Sequence, residues 1–155
     1  MAWNDRPMLS FESDVDRVAD LRLRGAGGTV LVRVRWPRSA RDQDLPPVAV
    51  FFPDAGAATR VPEQDDRLCR ELCSDAGMVV LCVPWITQQA GPPCSPLERA
   101  ALALEWSADH ADELGADPAQ LVVAGRGAGA GAAAALAHRA EDRGWPHIAR
   151  QLLFR

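Results

Sequence analysis

The sequence predicts an α/β fold: an N-terminal hairpin joined to a mostly parallel sheet with helices on both faces. Three observations lead there. The runs "VAVFF" (48–52), "MVVLCVPW" (78–85) and "QLVVAG" (120–125) are almost wholly apolar and of strand length, as strands buried on both faces are. Each is followed, after a loop or a glycine turn, by a stretch with helical periodicity, so that strand and helix alternate. Ahead of them lies a segment with the two-residue alternation of a half-buried hairpin.

Taken in order, residues 1–17 are polar and irregular and are expected to form an N-terminal arm, with one domain over 18–155. In the hairpin (18–37), Leu21 and Leu23 alternate with Arg22 and Arg24, the turn is Gly25–Gly28, and Val30, Val32 and Val34 answer on the far side. After a loop and the strand at 48–52, residues 65–77 read as a helix. Leu68, Cys69 and Leu72 share one face of it, and Gly77 is the stop. A Pro/Gly-rich loop follows the strand at 78–85. Ser95 is then a helix-capping candidate, and Pro96 opens a helix reaching Gly115. The strand at 120–125 leads into a helix over 130–144, and "IARQLLFR" (148–155) begins a last strand.

Composition narrows the function. A chain of 155 residues with 48% hydrophobic and 25% charged residues is about one globular domain. A net charge of −4 gives no electrostatic footprint for nucleic acid or an anionic membrane, although all 17 basic residues are arginine. No stretch approaches the roughly 20 apolar residues of a membrane span, and the N-terminus shows no signal-peptide pattern. The cytoplasm is therefore the expected compartment. Cys69, Cys73, Cys82 and Cys94 lack metal-ligand spacing and read as small reduced core residues, with Cys94 the one expected to be accessible.

The stretch "LVVAGRGAGAGAAAAL" (121–136) carries the chemical question. Four apolar residues running into a glycine turn and an alanine-rich helix are how a strand-to-helix elbow with a catalytic serine is written, G-x-S-x-G. Here the serine position holds Gly127, preceded by Arg126 and followed by Ala128. The same glycines do not make a dinucleotide fingerprint, because position 130 is alanine where the third glycine is required. His110 and His138 fall on helices and His147 in a loop, none in an arrangement that activates a nucleophile.

The order of elements and these local words resemble the hormone-sensitive-lipase (acetyl-hydrolase, carboxylesterase) branch of the α/β-hydrolase fold, from about residue 18 to the last residue. "PPVAVFFPDAGAATR" (46–60) is similar to the family's strand followed by His-Gly-Gly-Gly, and 121–136 to its Gly-Asp-Ser-Ala-Gly-Gly elbow. The resemblance implies the fold and a crevice built from Pro53, Asp54, Ala55, Gly56, Trp85, Arg126, Gly127 and Ala128. It also implies that Gly127 stands where the nucleophile would be. The family's downstream aspartate and histidine lie on loops after later strands.

The expectation is therefore a C-terminally truncated, degenerate member. It would act as a small-molecule-binding or protein-interaction module, with no catalytic residue, metal or cofactor. The alternative is a non-hydrolytic enzyme of cyclase or isomerase type using Asp54 and Arg126. Those two side chains have gained opposite charges on facing loops and are expected to form an ion pair. The apolar edge at 148–155 is expected to mediate homo-oligomerisation, unless residues 1–17 fold over it as a lid.

Overall fold

The computed structural model describes residues 15–38, 45–54, 61–86, 91–93 and 95–155. Its elements are β1 (Val15–Gly25), β2 (Gly28–Pro37), β3 (Val48–Phe52), α1 (Glu63–Ser74), β4 (Val79–Cys82), α2 (Pro96–His110), β5 (Leu121–Arg126), α3 (Ala128–Arg143) and β6 (Arg150–Phe154). They form a six-stranded sheet in the order β1-β2-β4-β3-β5-β6. The β1–β2 and β2–β4 pairs are antiparallel, and the β4–β3, β3–β5 and β5–β6 pairs are parallel.

The central strands read as continuous apolar runs because both of their faces are covered. Along β3, Val48, Val50 and Phe52 belong to the core layer shared with α2 and α3. Ala49 and Phe51 point the other way, into a layer with Cys69 and Cys73 of α1. The two-residue period of a strand thus feeds two hydrophobic layers from five consecutive residues, all fully buried. Burial pushes the Cys69 thiol well above the ordinary thiol range, with a hydrogen bond to Cys82 acting in the same direction. A protonated, enclosed thiol is unreactive, in keeping with a reduced core residue.

Element boundaries differ from the sequence reading at several ends: β4 stops at Cys82, α3 starts at Ala128 and β6 spans Arg150–Phe154. β1 begins at Val15, so residues 15–17 belong to the hairpin and not to the arm; residues 1–14 lie outside the described residues. α2 stops at His110, five residues before Gly115. The chain there turns inward, burying Ala111 and Leu114, and the Leu114 carbonyl accepts a hydrogen bond from Trp36 Nε1 at 2.9 Å. α1 begins at Glu63, two residues before Asp65, and Asp65 shares its buried face with Cys69 and Cys73. Ser95 is the cap expected of it: its side chain accepts from the Glu98 amide at 3.3 Å, with Pro96 in the first turn.

Among the described residues, no helix is long and apolar enough to cross a membrane. β6 is the outermost described strand on its side of the sheet, beside β5. Leu152 and Phe154 pack partly against the α1-side layer, while Leu153 remains 48% exposed.

Candidate active site

The site is built where β3 and β5 end side by side, Phe52 pairing with Gly125. β5 runs to Arg126, Gly127 makes the turn, and α3 starts at Ala128. Gly127 has φ +60° and ψ −125°, a conformation that side-chain-bearing residues rarely adopt. A sharp, strained elbow at this position is what the strand–glycine–helix pattern predicts. Gly129 allows the first turn of α3 to rest on the end of β3. A Cβ there would lie 1.8 Å from the Phe52 carbonyl oxygen.

Pro53 and Asp54, the first residues after β3, stand in front of this elbow and are each fixed by a hydrogen bond. The Pro53 carbonyl accepts from Trp85 Nε1 at 3.0 Å, and the Asp54 amide donates to Asp65 Oδ2 at 2.8 Å. So held, Asp54 directs its carboxylate at the elbow, where Oδ1 accepts from the Ala128 amide at 3.1 Å. A Cβ built on Gly127 would fall 2.5 to 2.7 Å from the Asp54 carboxyl atoms. The space in which a side chain of residue 127 would begin is thus filled by a carboxylate from across the crevice. Its acceptor oxygen takes the first backbone donor of α3, where the helix end favours negative charge.

Arg126 ties this arrangement together. Its Nη2 stands 3.6 Å from Asp54 Oδ2, the ion pair expected from the sequence. Its Nε donates to Oδ1 of Asp65, a second and closer partner that the sequence reading missed. Asp65 has no exposed surface, whereas the Asp54 side chain is 35% exposed. Two carboxylates therefore share one guanidinium, one behind the crevice and one lining it. Asp65 sits in the first turn of α1 with Glu63 and Asp66, where the helix dipole offsets part of its desolvation. Asp66 faces the other way, to Arg35 at 2.7 Å and Arg70 at 3.1 Å.

Of the other expected site residues, Gly127 and Ala128 are exposed at the crevice, and Pro53 is buried beneath it. Ala55 and Gly56 lie outside the described residues, as does Cys94. Trp85, expected among the crevice residues, is buried beneath the loop, its indole N–H donating to the Pro53 carbonyl. Arg99 of α2, equally buried, holds the Trp85 carbonyl at 2.9 Å and the Pro93 carbonyl at 3.0 Å. His110 stacks on Trp106, 4.1 Å between ring centroids, and His138 is on the exposed side of α3, 3.6 Å from Asp142.

A family model for the alpha/beta hydrolase fold matches residues 49–155. Esterase LipI of Mycobacterium tuberculosis is 35% identical over 138 residues, which cover 89% of this chain and 43% of that protein. Carboxylesterase NlhH of the same organism is 32% identical over 123 residues, 79% of this chain and 38% of its own length. Among solved structures, a hyperthermophilic esterase from the archaeon Pyrobaculum calidifontis is 32% identical with a TM-score of 0.73, over 90% of this chain and 45% of that one. A bacterial heroin esterase is 28% identical with a TM-score of 0.77, over 92% and 44%. The chain spans less than half the length of each of these proteins.

These similarities overturn the expected function. A non-enzymatic binding module, or a cyclase or isomerase, was expected from Gly127 and the altered oxyanion motif. Each of the four similar proteins is named as an esterase, and at 28 to 35% identity they point to hydrolase function. The expectation rested on individual site positions, Gly127 and Pro53-Asp54-Ala55-Gly56 among them, whereas the similarity to named esterases runs along most of the chain.

The shared ion pair has a consequence for stability. Asp65→Ala would leave Arg126, only 16% exposed, without its closer partner and the Asp54 amide without its acceptor. Loss of one member of a buried pair is expected to lower unfolding stability by about 3–5 kcal/mol. Urea denaturation followed by tryptophan fluorescence measures this, and a change below about 1 kcal/mol, typical of exposed pairs, would contradict the burial argument.

Proposed function

The chain belongs to the α/β-hydrolase family, in its carboxylesterase branch, and from that premise we propose that it hydrolyses carboxylic esters with Asp54 as the reacting group. One observation carries the assignment to Asp54: its carboxylate occupies the elbow's side-chain space, against the Ala128 amide. Gly127 has no atom that can attack an acyl carbon.

A carboxylate so placed acts as a general base. It removes a proton from a water molecule while the water oxygen attacks the ester carbonyl. The acyl–oxygen bond then breaks, and the departing alkoxide takes up the proton, leaving one acid, one alcohol and the carboxylate restored. General-base catalysis contributes about 10²–10⁴-fold, so esters with good leaving groups suit this site best. The partial exposure of Asp54 supports the reading, because the carboxylate is reachable by water and substrate.

The expected outcome is p-nitrophenyl acetate hydrolysis above the buffer rate, lowered by about 10²-fold or to background in Asp54→Asn. In Asp54→Ala, added acetate or formate is expected to restore part of the rate by entering the vacated space. Hydrolysis equal in the unaltered protein and Asp54→Asn, at matched purity, would refute Asp54 as the reacting group.

A further inference from the structure

We infer that Trp85, buried beneath the crevice just past β4, is a positioning residue that aims the Asp54 side chain through the peptide group preceding it. Its kinetic consequence rests on the hydrolase reading; the geometry stands without that reading.

The Pro53 carbonyl and the Asp54 amide are the two polar ends of a single peptide group. The carbonyl accepts from Trp85 Nε1 at 3.0 Å, and the amide donates to Asp65 Oδ2 at 2.8 Å. A peptide group is planar, so a hydrogen bond at each end fixes the tilt of the whole plane. The Cα of Asp54 lies in that plane. The tilt therefore sets the direction in which the Asp54 side chain leaves the backbone. That side chain reaches the elbow, where Oδ1 accepts from the Ala128 amide at 3.1 Å. Held at the amide end alone, the plane would keep one pivot and could rock about it. The indole supplies the second fixed point.

Trp85 is itself anchored well enough to serve as one. β3 and β4 are parallel neighbours, and the Val83 amide extends their ladder by donating to the Phe51 carbonyl at 2.9 Å. The chain leaving β4 thus stays beside the chain leaving β3. The Trp85 amide donates to the Val83 carbonyl at 2.8 Å, and the Trp85 carbonyl accepts from Arg99 Nε at 2.9 Å. Arg99 belongs to α2 and also holds the Pro93 carbonyl at 3.0 Å, while the Thr29 amide of β2 holds the Pro92 carbonyl at 3.0 Å. Both backbone polar groups of Trp85 are tied to the body of the fold. Its indole nitrogen is a donor only, so the ring engages the Pro53–Asp54 peptide at the carbonyl end, opposite the acceptor Asp65.

The test is Trp85→Phe, which keeps an aromatic ring in place and removes the N–H. It is read by the Ala128 amide in a ¹H–¹⁵N spectrum of the full chain and by steady-state hydrolysis of p-nitrophenyl acetate. Releasing the Pro53 carbonyl lets the plane turn and draws the carboxylate from the elbow. The Ala128 amide proton is therefore expected to move upfield, toward its position in Asp54→Ala. kcat is expected to fall by about 10- to 10²-fold, as for a misplaced reacting group, with KM within about twofold. An unmoved Ala128 amide in folded Trp85→Phe would overturn the inference whatever the activity. A moved amide in a protein without Asp54-dependent hydrolysis would uphold the positioning role and overturn the hydrolase reading instead. Should Trp85→Phe not fold, the unaltered protein decides. Its Trp85 indole proton is expected to exchange with deuterium as slowly as the amides of β3, and exchange as fast as that of the exposed Trp145 indole would overturn the inference.

Discussion

Asp65 and Arg126 offset the cost of taking each other's charge out of water. Taking a carboxylate fully out of water costs several kcal/mol unless a paired cation and hydrogen bonds offset it, and both are supplied here. The pair joins the first turn of α1 to the end of β5, with the loop after β3 pinned between them. From this constraint the rest of the crevice follows. The Asp54 backbone is fixed, its side chain is aimed at the elbow, and residue 127 is left with no room for a Cβ. Glycine there suits two demands at once, the positive φ of the elbow and the volume of the Asp54 carboxylate.

The scaffold makes such closeness possible. β3 and β5 are parallel neighbours, buried on both faces, so their carboxyl ends open on the same side of the sheet. Crevices of α/β proteins form outside those ends. Gly129 lets α3 approach until it touches the end of β3, which brings the Ala128 amide within reach of a loop that would otherwise pass at a distance. Trp85 and Arg99 support that loop and its neighbour from below, through backbone carbonyls of Pro53, Pro93 and Trp85. The charges in the crevice thus stand on a rigid base.

Much of this architecture was legible in the residues. The run 48–52 matches β3 residue for residue, because uninterrupted Val and Phe admit little besides a buried strand. The hairpin, the Ser95 cap and the elbow were equally plain. The Asp54–Arg126 pair was readable because two sites on facing loops had gained opposite charge. Asp65 was not legible. An aspartate at the head of an amphipathic helix reads as a solvated cap residue. It shares the buried face with Cys69 and Cys73, and its partners, Arg126 and the Asp54 amide, lie far from it in sequence or on another loop. Trp85 packs as a tryptophan at a strand end usually does, with its indole N–H on a buried carbonyl. The function was misread because the departures at Gly127 and Asp54 outweighed the kinship with named esterases that runs along most of the chain.

The central claim is that the Asp54 carboxylate occupies the space of a side chain at residue 127. The most direct measurement is a double-mutant cycle on unfolding free energy, combining Gly127→Ala with Asp54→Gly. The strain of a positive φ is common to both backgrounds and cancels, so the coupling isolates the collision between the new Cβ and the carboxylate. The account predicts that Gly127→Ala destabilises the unaltered protein more than it destabilises Asp54→Gly, by about 0.5–3 kcal/mol. Equal costs in the two backgrounds would contradict it.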